Sequence, residues 1–222
     1  MKIVYEDNHI LVVDKSPGEI VQGDKTGDKP LLEALKDYLK EKYNKPGNVF
    51  LGLVHRLDRP VGGLVIFAKT SKALSRLNEM LRKGEIKKKY YAITRNRPPK
   101  ETDELVSYLV SREKNNKTYL STQENSDAKE ARLIYKLVNS SDNYYLLEIE
   151  LLTGRKHQIR VQLSSIGVPI RGDLKYGDKR SNHDGSISLL SHQLDFIHPV
   201  SKQAMHFKVD CPDDNLWKAL WI

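Results

Sequence analysis

Of the 222 residues 39% are hydrophobic and 30% charged, a single one is cysteine, and the net charge is +8 at pH 7. This balance excludes a disordered or fibrous chain and fits one core-bearing domain, while the lone Cys211 excludes a disulfide framework and a thiolate metal cage. With no signal-peptide pattern and no apolar run approaching about 18 residues, the expectation is a cytoplasmic protein, and its positive charge suggests a polyanionic partner.

Taken in chain order, Ile3-Val4-Tyr5 and Ile10-Leu11-Val12-Val13 read as short strands around a turn at Asp7-Asn8, the second ended by Lys15-Ser16-Pro17-Gly18. Residues 22–30 are a polar loop. Leu31, Leu32, Leu35 and Leu39 recur at helical spacing and predict a helix to about Tyr43, stopped by Pro46-Gly47. Leu64 to Ala68 is a continuous apolar run of buried-strand type, followed by Lys69. Ser71 can cap a helix with Leu74, Leu77 and Leu81 inward and Gly84 at its end. A strand follows over residues 86–93. Residues 98–130 read as charged and broken by loops, with a hairpin near Asn115-Asn116. Residues 131–138 and 144–152 alternate well enough to pair as antiparallel strands. Thr153-Gly154 is expected to open a helix with Ile159, Leu163 and Ile166 inward, ending at Gly167. Residues 172–188 form a long polar loop, followed by strands at 189–190 and 205–209 and a short helix at 216–220. The fold class is therefore α+β, with a mainly antiparallel mixed sheet flanked by helices, as a single domain over residues 1–222.

Chemistry concentrates in three segments. In His55-Arg56-Leu57-Asp58-Arg59-Pro60-Val61-Gly62-Gly63 a carboxylate sits between two arginines, where Pro60 and the glycines prevent helix. In extended backbone Arg56 and Asp58 share a face, and a nearby guanidinium keeps an aspartate ionised even in a dry pocket. Alone, Arg-x-Asp is equally the pattern of a surface ion pair. In Lys88-Lys89-Tyr90-Tyr91-Ala92, strand alternation puts Lys88 with Tyr90 and Lys89 with Tyr91. A cation beside an aromatic ring suits phosphate and an unstacked base, and also suits a lysine-protected edge strand. Thr153-Gly154-Arg155-Lys156-His157-Gln158-Ile159-Arg160 crowds cations and amides where an anion would be welcome at a helix start; a solvated basic face looks the same. His55 and His157 lack the spacing of a metal site.

The three segments together resemble the RluA-type RNA pseudouridine synthases. His55-Arg56-Leu57-Asp58, then Gly63-Leu64 and a strand ending Ala68-Lys69, is similar to that family's signature. Lys88, Tyr90 and Ala92 match its Lys-x-Tyr-x-Ala, and the third segment, with Gly167-Val168-Pro169-Ile170-Arg171-Gly172-Asp173 as its tail, matches the remaining motif in the family's order. One departure stands out: Val61-Gly62-Gly63 replaces the usual Thr-Ser-Gly, which removes two hydroxyls from the loop.

The resemblance implies a pseudouridine synthase-like catalytic domain and an isomerase, of the intramolecular-transferase kind, that converts uridine to pseudouridine in structured ribosomal or transfer RNA. Asp58 would be the catalytic acid, Tyr90 would lie against the base as proton acceptor or stacking partner, and Arg160 would pair with the acid. His55, Arg56, Lys88, Arg155, His157 and Gln158 would bind substrate. No redox cofactor, metal or nucleotide is implied, the default state is a monomer, and no membrane is involved. Because strands begin at residue 3, the chain is expected to be a bare catalytic domain without the family's N-terminal S4-like RNA-binding domain. Two rivals remain: a catalytically silent RNA-binding paralogue, and an N-glycosidic hydrolase, which would need a second carboxylate to activate water.

Overall fold

The structure is a computed structural model that describes residues 2–23 and 27–222; residues 24–26 of the expected polar loop lie outside the described residues. The elements in chain order are β1 (Lys2–Glu6), β2 (Ile10–Lys15), α1 (Leu31–Lys42), β3 (Gly52–Leu53), β4 (Gly62–Ala68), α2 (Ser71–Arg82), β5 (Lys87–Thr94), β6 (Thr102–Arg112), β7 (Lys117–Ser121), β8 (Lys129–Ser140), β9 (Tyr145–Leu151), α3 (Gln158–Ser165), β10 (Leu189–Ile197), β11 (Ala204–Lys208) and α4 (Asn215–Leu220). The chain is α+β, as its pattern predicts. It forms two compact units, residues 1–86 with 193–209 and residues 87–192 with 210–222. Among the described residues no helix is long and apolar enough to cross a membrane.

In the first unit β2 lies antiparallel between β1 and β4, and β3 adds to β4. The apolar run at residues 64–68 is the buried strand expected of it: every residue from Leu64 to Ala68 is fully buried. The turn before β2 is fastened by Asp7, whose Oδ1 accepts the amides of His9 and Ile10 at 2.7 Å each. Helix α1 buries Leu31, Leu35 and Leu39, each worth about 1.5–3 kcal/mol, and leaves Leu32 only half-buried. Helix α2 is capped not by Ser71 but by Thr70, whose Oγ1 accepts the Ala73 amide at 3.2 Å. Its buried residues are Ala73 and Leu77. Leu74 instead fills the space above Gly52, where a Cβ would lie 2.6 Å from a Leu74 methyl.

The second unit has the antiparallel strand order β5-β9-β8-β6-β7. Residues 102–112, expected as broken loop, are an unbroken 11-residue strand. The alternation there is masked because β6 buries only Leu109 fully and exposes Val106 on its other face, so its apolar residues do not fall on one side. The hairpin at Asn115-Asn116 is present, with Asn116 in the left-handed region at φ 49°. Helix α3 packs on β6 and β7, and Val161 joins Leu109, Ala131 and Tyr176 in a buried cluster. This helix starts at Gln158, later than Thr153-Gly154 predicts. The delay has a local cause: Gln158 Oε1 accepts both the Thr153 hydroxyl at 2.8 Å and the Arg155 amide at 3.0 Å, and His157 sits at φ 53°, outside helical geometry.

Candidate active site

Asp58 lies on the segment that feeds β4. Its carbonyl accepts the Val61 amide at 3.0 Å, closing a turn through Arg59-Pro60. The turn is tied from one side by β2 and the bend that follows it. The Arg59 carbonyl accepts the Gly18 amide at 2.8 Å and the Lys15 ammonium at 3.2 Å, and Lys15 also donates to the carbonyls of Ser16 and Glu19. Lys15 is 1% exposed, so its charge is carried inside the unit. Burial brings its pKa down to about 8, against the attraction of Glu19 and Asp58. A Cβ on Gly62 would meet Pro17 Cδ at 3.2 Å and the Lys15 carbonyl at 3.4 Å, which leaves little room for serine there.

Around this turn, His55 Nε2 accepts the Ile66 amide at 3.2 Å, fixing the approach to β4. Arg56 is exposed and Asp58 half-buried. Arg59 reaches Asp28 at 2.7 Å at the surface.

The second unit carries the other residues singled out from the sequence. On β5 the predicted alternation is present. Lys88 and Tyr90 are buried, at 8% and 5% exposure, while Lys89 pairs with Glu148 at 3.0 Å on the opposite side. Tyr91, on that side too, stacks on His192 at 4.1 Å between ring centres and meets Trp221 edge-on. Burial lowers the pKa of Lys88. Gly154 leaves room for it: a Cβ at Gly154 would stand 3.4 Å from Lys88 Nζ.

Arg160 is buried, and its guanidinium grips Asp173 at two points, Nε to Oδ2 at 2.7 Å and Nη2 to Oδ1 at 2.8 Å. It also lies over the Tyr176 ring at 5.0 Å. The Tyr176 hydroxyl bonds His157 Nδ1 at 2.8 Å and accepts the Thr118 amide at 2.8 Å. Gln158 is 2% exposed, and its Nε2 donates to the Arg132 carbonyl at 3.0 Å. Of the residues expected to bind substrate from this segment, His157 and Gln158 therefore face inward onto protein partners, and Arg155 is the exposed one, with Nε on the Glu130 carbonyl.

The structure brings Lys88 against Gly154, and Arg160 and His157 around Tyr176. His55, Arg56 and Asp58 belong to the first unit. Reading the sequence missed Lys15, Asp173 and Tyr176. Asp173 was visible as the acid closing the Gly-Asp tail. Tyr176 and Lys15 carried no signal, because one sits in a polar loop and the other at a strand end.

Residues 9–165 match the family described as RNA pseudouridylate synthase. The chain belongs to that family. Its full length is 32% identical to the ribosomal large subunit pseudouridine synthase D of Zymomonas mobilis, spanning 73% of that protein. Identity to the synonymous protein of Nitrosomonas europaea is 33% over 96% of this chain and 63% of the other. In fold it is similar to the human RNA pseudouridylate synthase domain containing 4, with a TM-score of 0.79 at 24% identity, covering 96% of this chain and 89% of that one. The family match takes in Asp58, Tyr90 and Arg160.

Proposed function

We propose that this chain isomerises a uridine of large-subunit ribosomal RNA to pseudouridine, with Asp58 as the essential acid. The observation that carries the reading is the roughly one-third identity, along essentially the whole chain, to relatives named as ribosomal large subunit pseudouridine synthases. It is supported by the clamping of the Asp58 turn through Lys15 and Gly18, since a reacting carboxylate must be held to its geometry.

In this reading the target uridine is turned out of its stack, at a cost of a few kcal/mol offset by protein contacts. Asp58 acts at the sugar, as nucleophile at C1′ or as base at C2′. The C1′–N1 bond breaks, the uracil turns, C5 bonds to C1′, and the C5 proton leaves. Tyr90 lies against the base. Arg160 is the arginine that the resemblance implies for the acid, and Asp173 holds its guanidinium in place. Exposed Arg155 meets the RNA backbone, where cations supply most of the affinity.

The test is to incubate the protein with transcripts of large-subunit RNA, small-subunit RNA and transfer RNA, then map pseudouridine by carbodiimide labelling and reverse-transcription stops. A stop at a discrete uridine of the large-subunit transcript is expected. Stops confined to the other RNAs would overturn the ribosomal assignment, and none in any pool would overturn the enzyme.

A further inference from the structure

Lys88 is a charged group that the fold buries without compensation. It is 8% exposed, and among the described residues it makes no hydrogen bond or ion pair. Its neighbour Lys89, turned to the other face, has Glu148 at 3.0 Å. An ammonium largely withdrawn from water with no anion is costly, and a methionine or leucine would fill the same strand position at less expense. Burial is moreover the one influence that lowers its pKa, with no opposing carboxylate. The surroundings are shaped for the group: the side chain missing at Gly154 leaves space 3.4 Å from Nζ.

Two anions come with an RNA substrate, the backbone phosphates and the uracil itself once its bond to the sugar breaks. Phosphates lie at the rim of a flipped nucleotide and meet exposed cations such as Arg155. In the isomerisation reading the base lies against Tyr90. Lys88 shares a strand face with Tyr90 two residues on, about 7 Å along the chain, within the reach of a lysine side chain.

We propose that Lys88 is a catalytic residue that donates a hydrogen bond to a uracil carbonyl oxygen and holds the negative charge the base acquires as the C1′–N1 bond breaks. The inference rests on the isomerisation reading above. When the bond breaks, its electron pair stays with the uracil, spread over N1 and the carbonyl oxygens. When the new bond forms, C5 returns a pair to C1′ and the C5 proton passes to a base. Lys88 keeps its proton throughout and enters neither bond. A preorganised donor at such a site acts most strongly at the transition state.

The experiment compares wild type, Lys88→Met and Lys88→Arg under single-turnover conditions with saturating RNA carrying the mapped uridine, alongside RNA affinity by filter binding. The same RNA made with 5-fluorouridine provides a base that leaves more readily. Lys88→Met is expected to slow the chemical step about 10²–10³-fold, the loss typical of one such donor, with affinity within about threefold of wild type. The loss should shrink at least tenfold on the fluorinated RNA, read as rearranged nucleoside by mass spectrometry. A loss of affinity with an unchanged single-turnover rate would overturn the proposal in favour of a phosphate contact. An equal loss on both RNAs would overturn it in favour of a structural role. Should Lys88→Met fail to fold, Lys88→Arg retains the charge, and full loss of its fluorine dependence relative to wild type would count against the proposal. A wild type that forms no pseudouridine defeats the underlying reading, whereas an active Lys88→Met beside an inactive Asp58→Asn defeats this inference alone.

Discussion

Arg160 and Asp173 form a two-point ion pair, at 2.7 and 2.8 Å, with side chains only 6% and 1% exposed. Such a pair is worth little against an apolar replacement but much against loss of one partner. Asp173→Ala should therefore destabilise the protein by about 3–5 kcal/mol, measured by urea denaturation. The double variant Arg160→Met/Asp173→Leu should recover most of that stability and none of the activity. Equal instability of the single and double variants would show that the pair does more than neutralise a buried charge.

The Tyr176 hydroxyl is the hub between His157 and the Thr118 amide, each 2.8 Å away. Tyr176→Phe keeps the ring beneath Arg160 and strands a buried amide. The expected cost is about 1–3 kcal/mol, seen as a lower thermal midpoint, with RNA affinity preserved. A drop in affinity without a drop in stability would mean that His157 contacts RNA directly.

Lys15 donates to the carbonyls of Ser16, Glu19 and Arg59. Lys15→Met removes a donor from all three, although the Arg59 and Ser16 carbonyls keep the Gly18 and Glu19 amides; it should cost about 1–3 kcal/mol and loosen the turn holding Asp58, lowering turnover. The pH dependence is also fixed. Lys15 releases its proton at about 8 in the folded protein and near its ordinary 10.5 when unfolded. Between those values the unfolded chain binds more protons, so this residue makes stability rise with pH, by up to about 1.4 kcal/mol per unit. The stability gap between wild type and Lys15→Met should widen from pH 8 to pH 10, and a constant gap would contradict the buried charge.

Glu6 acts with the same sign, in the acid range. Burial pushes its pKa up, but donors from Lys42, Lys69, Tyr43 and Tyr38 bring it down to about 2, from an ordinary 4.5. Its folded pKa is depressed, so its contribution is present above about 4.5 and fades as pH falls toward 2. Glu6→Gln should flatten the acid limb of the stability profile by on the order of 1–2 kcal/mol, allowing for solvent screening. An unaltered acid limb would show that the cluster is not coupled to folding.

Much of this was legible in the sequence because the signals were local. The buried run at residues 64–68 and the leucines of α1 report their burial through spacing alone. The alternation of Lys88 and Tyr90 against Lys89 and Tyr91 is equally direct. What was hidden depends on tertiary partners. Strand β6 reads as loop because few of its apolar residues share a buried face. The helix start at Gln158 is decided by that residue's side chain bonding back to Thr153 and Arg155, and the role of Lys15 by carbonyls as distant as Arg59. No periodicity encodes such contacts.

The measurement that bears most directly on the account uses RNA tritiated at uracil C5, incubated with wild type and with Asp58→Asn, with RNA binding measured in parallel. Formation of the C1′–C5 bond exchanges that hydrogen into water. The account predicts release by wild type, none above background by Asp58→Asn, and comparable RNA affinity for both. Release by Asp58→Asn at the wild-type rate, or none from wild type despite binding, would contradict it.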